Sequence, residues 1–253
     1  MWDPQQYLKY RDERARPFHD LLARVQAEHA EYVVDLGCGP GNLTATLAER
    51  WPAARVLGID SSPQMIEAAQ RHAVPGRIEF RVQDLRGWQP ARAPDVVVAN
   101  AVFQWVPGHL DLLPRLVRAV RPGGWLAFQV PANFTAPSHE ILRAIAARRA
   151  LAIDWPNSHE PQEYLDALAR LGCAVDVWET TYHHVLPGDD AVLEWVKGTG
   201  ARPVLEALAE AERAEFLAEY GAALRQAYPK QPYGTVLPFR RVFAIAQIPG
   251  GRP

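Results

Sequence analysis

The sequence predicts an α/β fold, a doubly wound and mostly parallel sheet of seven strands, and three observations predict it. Short apolar, β-branched runs alternate with helix-forming runs from residue 33 to residue 130, the rhythm of parallel strands joined by crossover helices. The first run, Val33-Val34-Asp35-Leu36, enters a glycine-rich turn, Gly37-Cys38-Gly39-Pro40-Gly41-Asn42. Two later runs end in carboxylates, Asp60 and Asp84, at the strand ends where open α/β sheets take their ligands.

Each element has its own signal. Tyr7–Arg16 reads as a helix stopped by Pro17, and Pro17–Ala30 as a second helix with Phe18, Leu21, Leu22 and Val25 as its buried stripe. The helix after the glycine turn runs over Leu43–Arg50. Arg55–Asp60 is the second strand, and Pro63–His72 a helix capped by Ser61 or Ser62, with Met65, Ile66 and Ala69 on its apolar face. Ile78–Gln83 and Asp95–Ala99 are strands three and four, the latter nearly all apolar as a strand covered on both faces should be. Asn100-Ala101-Val102-Phe103-Gln104-Trp105 leaves its carboxyl end. Leu110–Val120 is an amphipathic helix broken by Pro122-Gly123-Gly124, and Trp125–Val130 is strand five.

From Pro131 the rhythm changes. A loop over 131–139 precedes helices at 138–151 and Pro161–Leu171, then strand six at Ala174–Tyr182. A helical stretch over 187–235 separates it from a last strand, Arg241–Gln247. The expected organisation is a single domain over 1–253: a helical lid (1–31), a core (32–186), an inserted helical cap (187–235), and the last strand with its tail (236–253).

Composition narrows the function classes. The chain has 253 residues, 48% of them apolar, and a net charge of −2, which argues against nucleic acid as a partner. Cys38 and Cys173 have no metal-like spacing, and adjacent His183 and His184 would face opposite sides of a strand, so no metal site is expected. The start, Met1-Trp2-Asp3-Pro4, lacks a signal-peptide core, and no run is long enough to span a membrane. A cytoplasmic protein, monomeric or weakly dimeric, is expected.

Strand-to-helix turns present free N–H groups to a ligand, and glycines sit where a Cβ would obstruct it. A dinucleotide fingerprint G-x-G-x-x-G would need glycine at Asn42, so a nicotinamide enzyme is disfavoured. The spacing D-x-G-x-G-x-G from Asp35 through Gly37, Gly39 and Gly41 is similar instead to the first motif of S-adenosylmethionine-dependent methyltransferases. A carboxylate at Asp60 suits both hydroxyls of a ribose. Asp84 suits an adenine amine, with the N–H of Leu85 free for the ring. Ser61, Met65, Asn100 and Ala101 complete the expected adenosyl site, with Gln104 and Trp105 positioning the acceptor.

A more specific resemblance covers nearly the whole chain. Tyr7-Leu8, Glu13-Arg14, Arg16-Pro17, Asp35 through Asn42, Gly58 through Pro63, Trp88-Gln89-Pro90, Asn100-Ala101 and Gln104-Trp105 resemble the trans-aconitate methyltransferase family, as do Thr180-Thr181-Tyr182, Trp195-Val196, Gly200 through Pro203 and Arg241-Val242-Phe243. The resemblance implies a Rossmann-like methyltransferase core that moves a methyl from S-adenosylmethionine to one carboxylate of trans-aconitate, leaving a monomethyl ester and S-adenosylhomocysteine. A carboxylate with a pKa near ~4 is already ionised and needs no general base. Its unreacting carboxylates need cations, which arginine supplies as a planar fork. Arg11, Arg14, Arg202 and one of Arg240 and Arg241 are the candidates, with Tyr10, Tyr182 and Tyr233 as further donors. Two alternatives stand beside this reading. A phenol or amine acceptor would want a base at His139 or His183, and a non-catalytic S-adenosylmethionine-binding module would want none.

Overall fold

The computed structural model describes residues 11–250, apart from the side chains of Arg11, Asp12 and Arg14. The chain divides into two compact units. The first takes residues up to Val130, Ser158–Glu179 and the chain from Val242 on; the second takes Pro131–Asn157 and Thr180–Arg241.

In the first unit, helix α1 (Arg11–Ala23) leads to strand β1 (Tyr32–Leu36), α2 (Asn42–Arg50), β2 (Arg55–Asp60), α3 (Pro63–Ala69), β3 (Ile78–Val82) and β4 (Val96–Asn100). Then follow α4 (Leu113–Ala119), β5 (Trp125–Pro131) and, beyond α5 (Pro137–Arg148), helix α6 (Pro161–Ala169). Two long strands, β6 (Ala174–Leu186) and β7 (Thr235–Gln247), complete a seven-stranded sheet of order β3-β2-β1-β4-β5-β7-β6. The α/β fold expected from the strand–helix rhythm is the fold observed. All four pairings from β3 to β5 are parallel, with Asp35 opposite both Gly58 and Val98. Central β4 buries Val96, Val97 and Val98 completely, which is why that run carries no alternation.

The structure departs from the expected elements at α1 and at the last two strands. The chain does not break at Pro17: α1 passes through it and ends at Ala23, well short of Ala30. Proline forfeits one backbone bond to the preceding turn, but Pro17, Phe18, Leu21 and Leu22 are all buried, and their burial outweighs that loss. Arg24 then ties the end of α1 to β6, pairing with Asp176 at 2.9 Å and lying 3.9 Å over the Trp178 ring, itself stacked on Phe243. The last two strands are also longer than expected. β6 continues past Tyr182 to Leu186 and β7 begins at Thr235, with Pro238 inside it.

In the second unit, α7 (Ala191–Lys197), α8 (Arg202–Ala207) and α9 (Glu210–Ala227) lie within the 187–235 window expected to be helical, whose last residues are not helical. The unit also takes in α5, because α9 is fastened to it. Tyr220 donates to the Ser138 carbonyl at 2.7 Å, and the Ser138 N–H donates to the Tyr228 hydroxyl at 3.1 Å. His184 and Trp195 stack at 4.8 Å beside Phe239. Among the described residues, no helix is long and apolar enough to cross a membrane, and no cluster of His, Cys, Asp and Glu could hold a metal ion.

Candidate functional site

The glycine turn is pinned to its neighbour before any ligand arrives. The N–H groups of Gly37 and Cys38 both donate to the Ile59 carbonyl, at 2.8 and 2.9 Å. Asp60, at the end of β2, accepts from the Gly39 N–H at 3.0 Å through Oδ2 and from the Ser62 N–H at 2.8 Å through Oδ1. Burial pushes the Asp60 carboxyl up, while those two N–H groups pull it back towards the ionised form.

The three glycines do different work. A Cβ on Gly41 would come within 2.8 Å of the Ala69 Cβ and of the Phe80 ring, and one on Gly37 within 2.4 Å of a Val102 methyl. A Cβ on Gly39 would meet nothing within 4 Å. Gly39 lines a cavity of about 230 Å³ together with Gly37, Asp60, Ser61, Met65, Asp84, Leu85, Asn100, Ala101 and Trp105. Sequence reasoning missed five further lining residues, Pro40, Gln83, Arg86, Val102 and Val106. Of these, Gln83 belongs to the run expected as the third strand, one residue short of the acid, and the strand ends before it, at Val82.

Gly41 and Asp35 do not line that cavity. Asp35 lies beneath the turn, 2% exposed, accepting from the Thr44 hydroxyl at 2.6 Å while its Oδ1 has no partner. Burial, with Asp60 nearby, lifts its carboxyl to about 7 against the pull of Thr44. An unfolded aspartate ionises near ~3.9. Between those values the folded chain keeps a proton that the unfolded chain has released. The stabilisation is therefore complete below about pH 4 and is lost as pH rises through about 7. Relative to Asp35→Asn, wild type should lose up to about 1.4 kcal/mol of unfolding free energy per pH unit between pH 5 and 7 in urea melts. Curves that stay parallel would contradict this.

Asp84 and Leu85 begin a loop with its own supports. Asp84 caps a short turn through the Arg86 N–H at 2.8 Å and also accepts from the Arg86 guanidinium at 2.6 Å. That cation holds its carboxyl below the usual range, and an adenine amine there would share an acceptor already in use. Arg115 of α4 donates to the carbonyls of Leu85 and Trp88, both at 2.8 Å, which fixes the loop as a wall.

The opposite wall is the chain leaving β4. Trp105 lines the cavity, whereas Gln104 is 5% exposed and does not line it, donating to the Ala101 carbonyl at 2.6 Å. Farther on, Val106 is held by buried His109. A carbonyl only accepts, so Nδ1 carries the proton towards Val106, and Nε2 accepts from the Tyr164 hydroxyl at 2.7 Å. Burial lowers His109 to about 4, which keeps the ring neutral, as this arrangement requires. A lone histidine in an irregular segment gave no sign of this role.

The expected acceptor residues form two sets. Tyr10 and the side chains of Arg11 and Arg14 lie outside the described residues. The rest belong to the second unit. Tyr182 is buried and stacked with His184, Arg202 pairs with Glu206 at 3.2 Å, and Tyr233 is 68% exposed. Arg241 is the buried member of its pair, 4% exposed with its guanidinium 4.8 Å over Phe239, while Arg240 is half-buried.

The residues present fit an adenosyl group: a turn opened by Gly39, a carboxylate at the end of β2, and apolar Met65, Leu85 and Trp105 to flank a base. Comparison with known proteins agrees. A family model described as a methyltransferase domain matches residues 33–124. The chain is 53% identical to a trans-aconitate 2-methyltransferase of Streptomyces avermitilis, over 97% of this chain and 96% of the other. It is 51% identical to that of Streptomyces coelicolor, over 99% and 88%. Among solved structures, the Haemonchus contortus phosphoethanolamine N-methyltransferase 2 complex with S-adenosyl-L-methionine matches with a TM-score of 0.58 at 16% identity, over 92% of this chain and 52% of that one, which is a likeness of fold alone. The cofactor is S-adenosylmethionine, and the chain belongs to the trans-aconitate 2-methyltransferase family.

Proposed function

We propose that this methyltransferase acts on one carboxylate of trans-aconitate, or of a similar small di- or tricarboxylate, giving the monomethyl ester and S-adenosylhomocysteine. The identity to trans-aconitate 2-methyltransferases over nearly the full length carries this reading. The chain is taken to work in the cytoplasm as a monomer or weak dimer, with no nucleic acid involved.

S-Adenosylmethionine, when bound, supplies a methyl group already activated on a sulfonium. An ionised carboxylate is already a competent nucleophile at neutral pH, so the residues have only to orient it and exclude water. Arg241 supports this role, because a buried guanidinium on an apolar ring is a cation suited to a carboxylate. Arg11, Arg14, Arg202 and Arg240, with Tyr10, Tyr182 and Tyr233, remain the proposed partners of the other carboxylates.

The histidine-base alternative is weaker on one observation. Burial lowers His139 to about 4, so at neutral pH it would take a proton from a phenol or ammonium only feebly. A transfer assay over trans-aconitate, cis-aconitate, citrate, a catechol and a primary amine tests the proposal. Ester formation on trans-aconitate should dominate, with kcat level from pH 6 to 9. Arg241→Met should raise KM for the acid about tenfold, or ~1.4 kcal/mol, with unchanged affinity for S-adenosylhomocysteine. Transfer to the catechol or amine, rising through a histidine-like pKa, would reject it.

A further inference from the structure

We infer that Gln104 is a positioning residue acting through the backbone of Ala101: its side-chain amide latches a left-handed kink at the end of β4, and the kink sets one wall of the cofactor cavity. The inference rests on the S-adenosylmethionine site and is independent of the acceptor.

Ala101 has φ of 54°, in the left-handed region that side-chain-bearing residues disfavour, and it lines the cavity. Such a conformation persists only where the surroundings over-determine it. Two groups do so. The Ala101 N–H donates to the Gln129 carbonyl at 2.9 Å, just past the rung where Asn100 lies opposite Gln129. Its carbonyl accepts from Gln104 Nε2 at 2.6 Å. A carbonyl cannot donate, so the Gln104 amide is oriented without ambiguity, and its Oε1 has no partner. A buried amide that satisfies one backbone carbonyl and leaves its own oxygen unmatched is held there at a cost, which points to the geometry of Ala101 as its purpose.

The kink decides where the next residues go. Val102 packs so closely on the glycine turn that a Cβ on Gly37 would meet it at 2.4 Å, and Trp105 and Val106 return to the cavity. With φ relaxed to negative values, this stretch would swing off Gly37 and the wall would open. Asn100 is secured separately, accepting from Gln129 Nε2 at 2.6 Å, so its placement does not depend on Gln104. Glycine at 101 would adopt the kink without penalty, whereas alanine needs the latch.

The test compares binding of S-adenosylhomocysteine by calorimetry, with thermal melts, in four proteins: wild type, Gln104→Met, Ala101→Gly and the double variant. Methionine keeps the shape, removes the donor and also removes the unmatched oxygen. We expect Gln104→Met to bind about tenfold more weakly with a melting temperature near that of wild type. Ala101→Gly is the reference for the double variant: adding it to Gln104→Met should restore binding to within about threefold of Ala101→Gly itself. A purely structural role would lower the melting temperature of both Gln104→Met proteins and give no rescue. Binding by Gln104→Met within twofold of wild type, or a double variant no better than Gln104→Met, overturns the inference. If Gln104→Met is recovered only as aggregate, the double variant decides: it must fold and bind, and failure in either overturns the inference. None of these readings involves the acceptor, so they stand or fall apart from the assay of transfer.

Discussion

Gly39→Ala is expected to weaken S-adenosylhomocysteine binding about 100-fold, or ~2.7 kcal/mol by calorimetry, while the protein stays folded. The added methyl meets no protein atom, so nothing in the core has to move; it stands in the space the ligand would use. Its only cost to the free protein is alanine at φ of 55°, about 1–2 kcal/mol, or a few degrees of melting temperature. Gly41→Ala should behave in the opposite way. Its methyl would press on Ala69 and on the Phe80 ring, so the loss should appear as instability or insolubility. Equal affinity in Gly39→Ala and wild type would mean that the ligand does not use this turn.

Asp60→Asn should have an effect of similar size for a different reason. The carboxylate accepts from two backbone N–H groups, one on each oxygen, and Asp60 lines the cavity. Asparagine presents an NH₂ to one of those N–H groups, so a hydrogen bond becomes a clash of donors, and one of two ribose acceptors is lost as well. Both the turn and the ligand suffer. The expected outcome is S-adenosylhomocysteine affinity lowered about 100-fold and a melting temperature lowered by several degrees, from about 1–3 kcal/mol for a disrupted buried hydrogen bond. Affinity within threefold of wild type would show that Asp60 only braces the loop.

The contrast between residues 33–130 and the rest explains what the sequence disclosed. A fully buried parallel strand must be apolar throughout, and its turn must use glycine where backbone or ligand comes close, so β1, β4 and the turn at Gly37–Gly41 are written plainly. The acids Asp60 and Asp84 were legible because position at a strand end carries meaning in such sheets. Pro17 misled because local propensity opposes a helix there, while burial of the adjoining side chains decides otherwise. The early half of β7 was hidden by Pro238, and the later half of β6 by its histidines, although His184 and Leu186 are buried and His183 and Val185 exposed in strand alternation.

Hydrogen-bond partners were the least legible feature. Gln104 is expected from the sequence to position the acceptor, and nothing in the run Asn100-Ala101-Val102-Phe103-Gln104-Trp105 announces its hydrogen bond to the Ala101 carbonyl. Gln129, a single amide in the run Trp125-Leu126-Ala127-Phe128-Gln129-Val130, was a signal left unused. A polar side chain inside a wholly buried strand needs a partner, and here Asn100 is one. The second unit disclosed least, because its motifs, Trp195-Val196 and Gly200 through Pro203, carry a resemblance but no chemistry of their own, and its arginines are distinguished only by burial.

The account depends above all on the glycine turn being the seat of the cofactor, and a crystal structure grown with S-adenosylhomocysteine tests that most directly. The account predicts the ribose hydroxyls at Asp60, the adenine between Met65 and Leu85, and the amino acid moiety between Gly39 and the backbone of Asn100 and Ala101. Density for the ligand anywhere else, with the space in front of Gly39 holding only water, would contradict it.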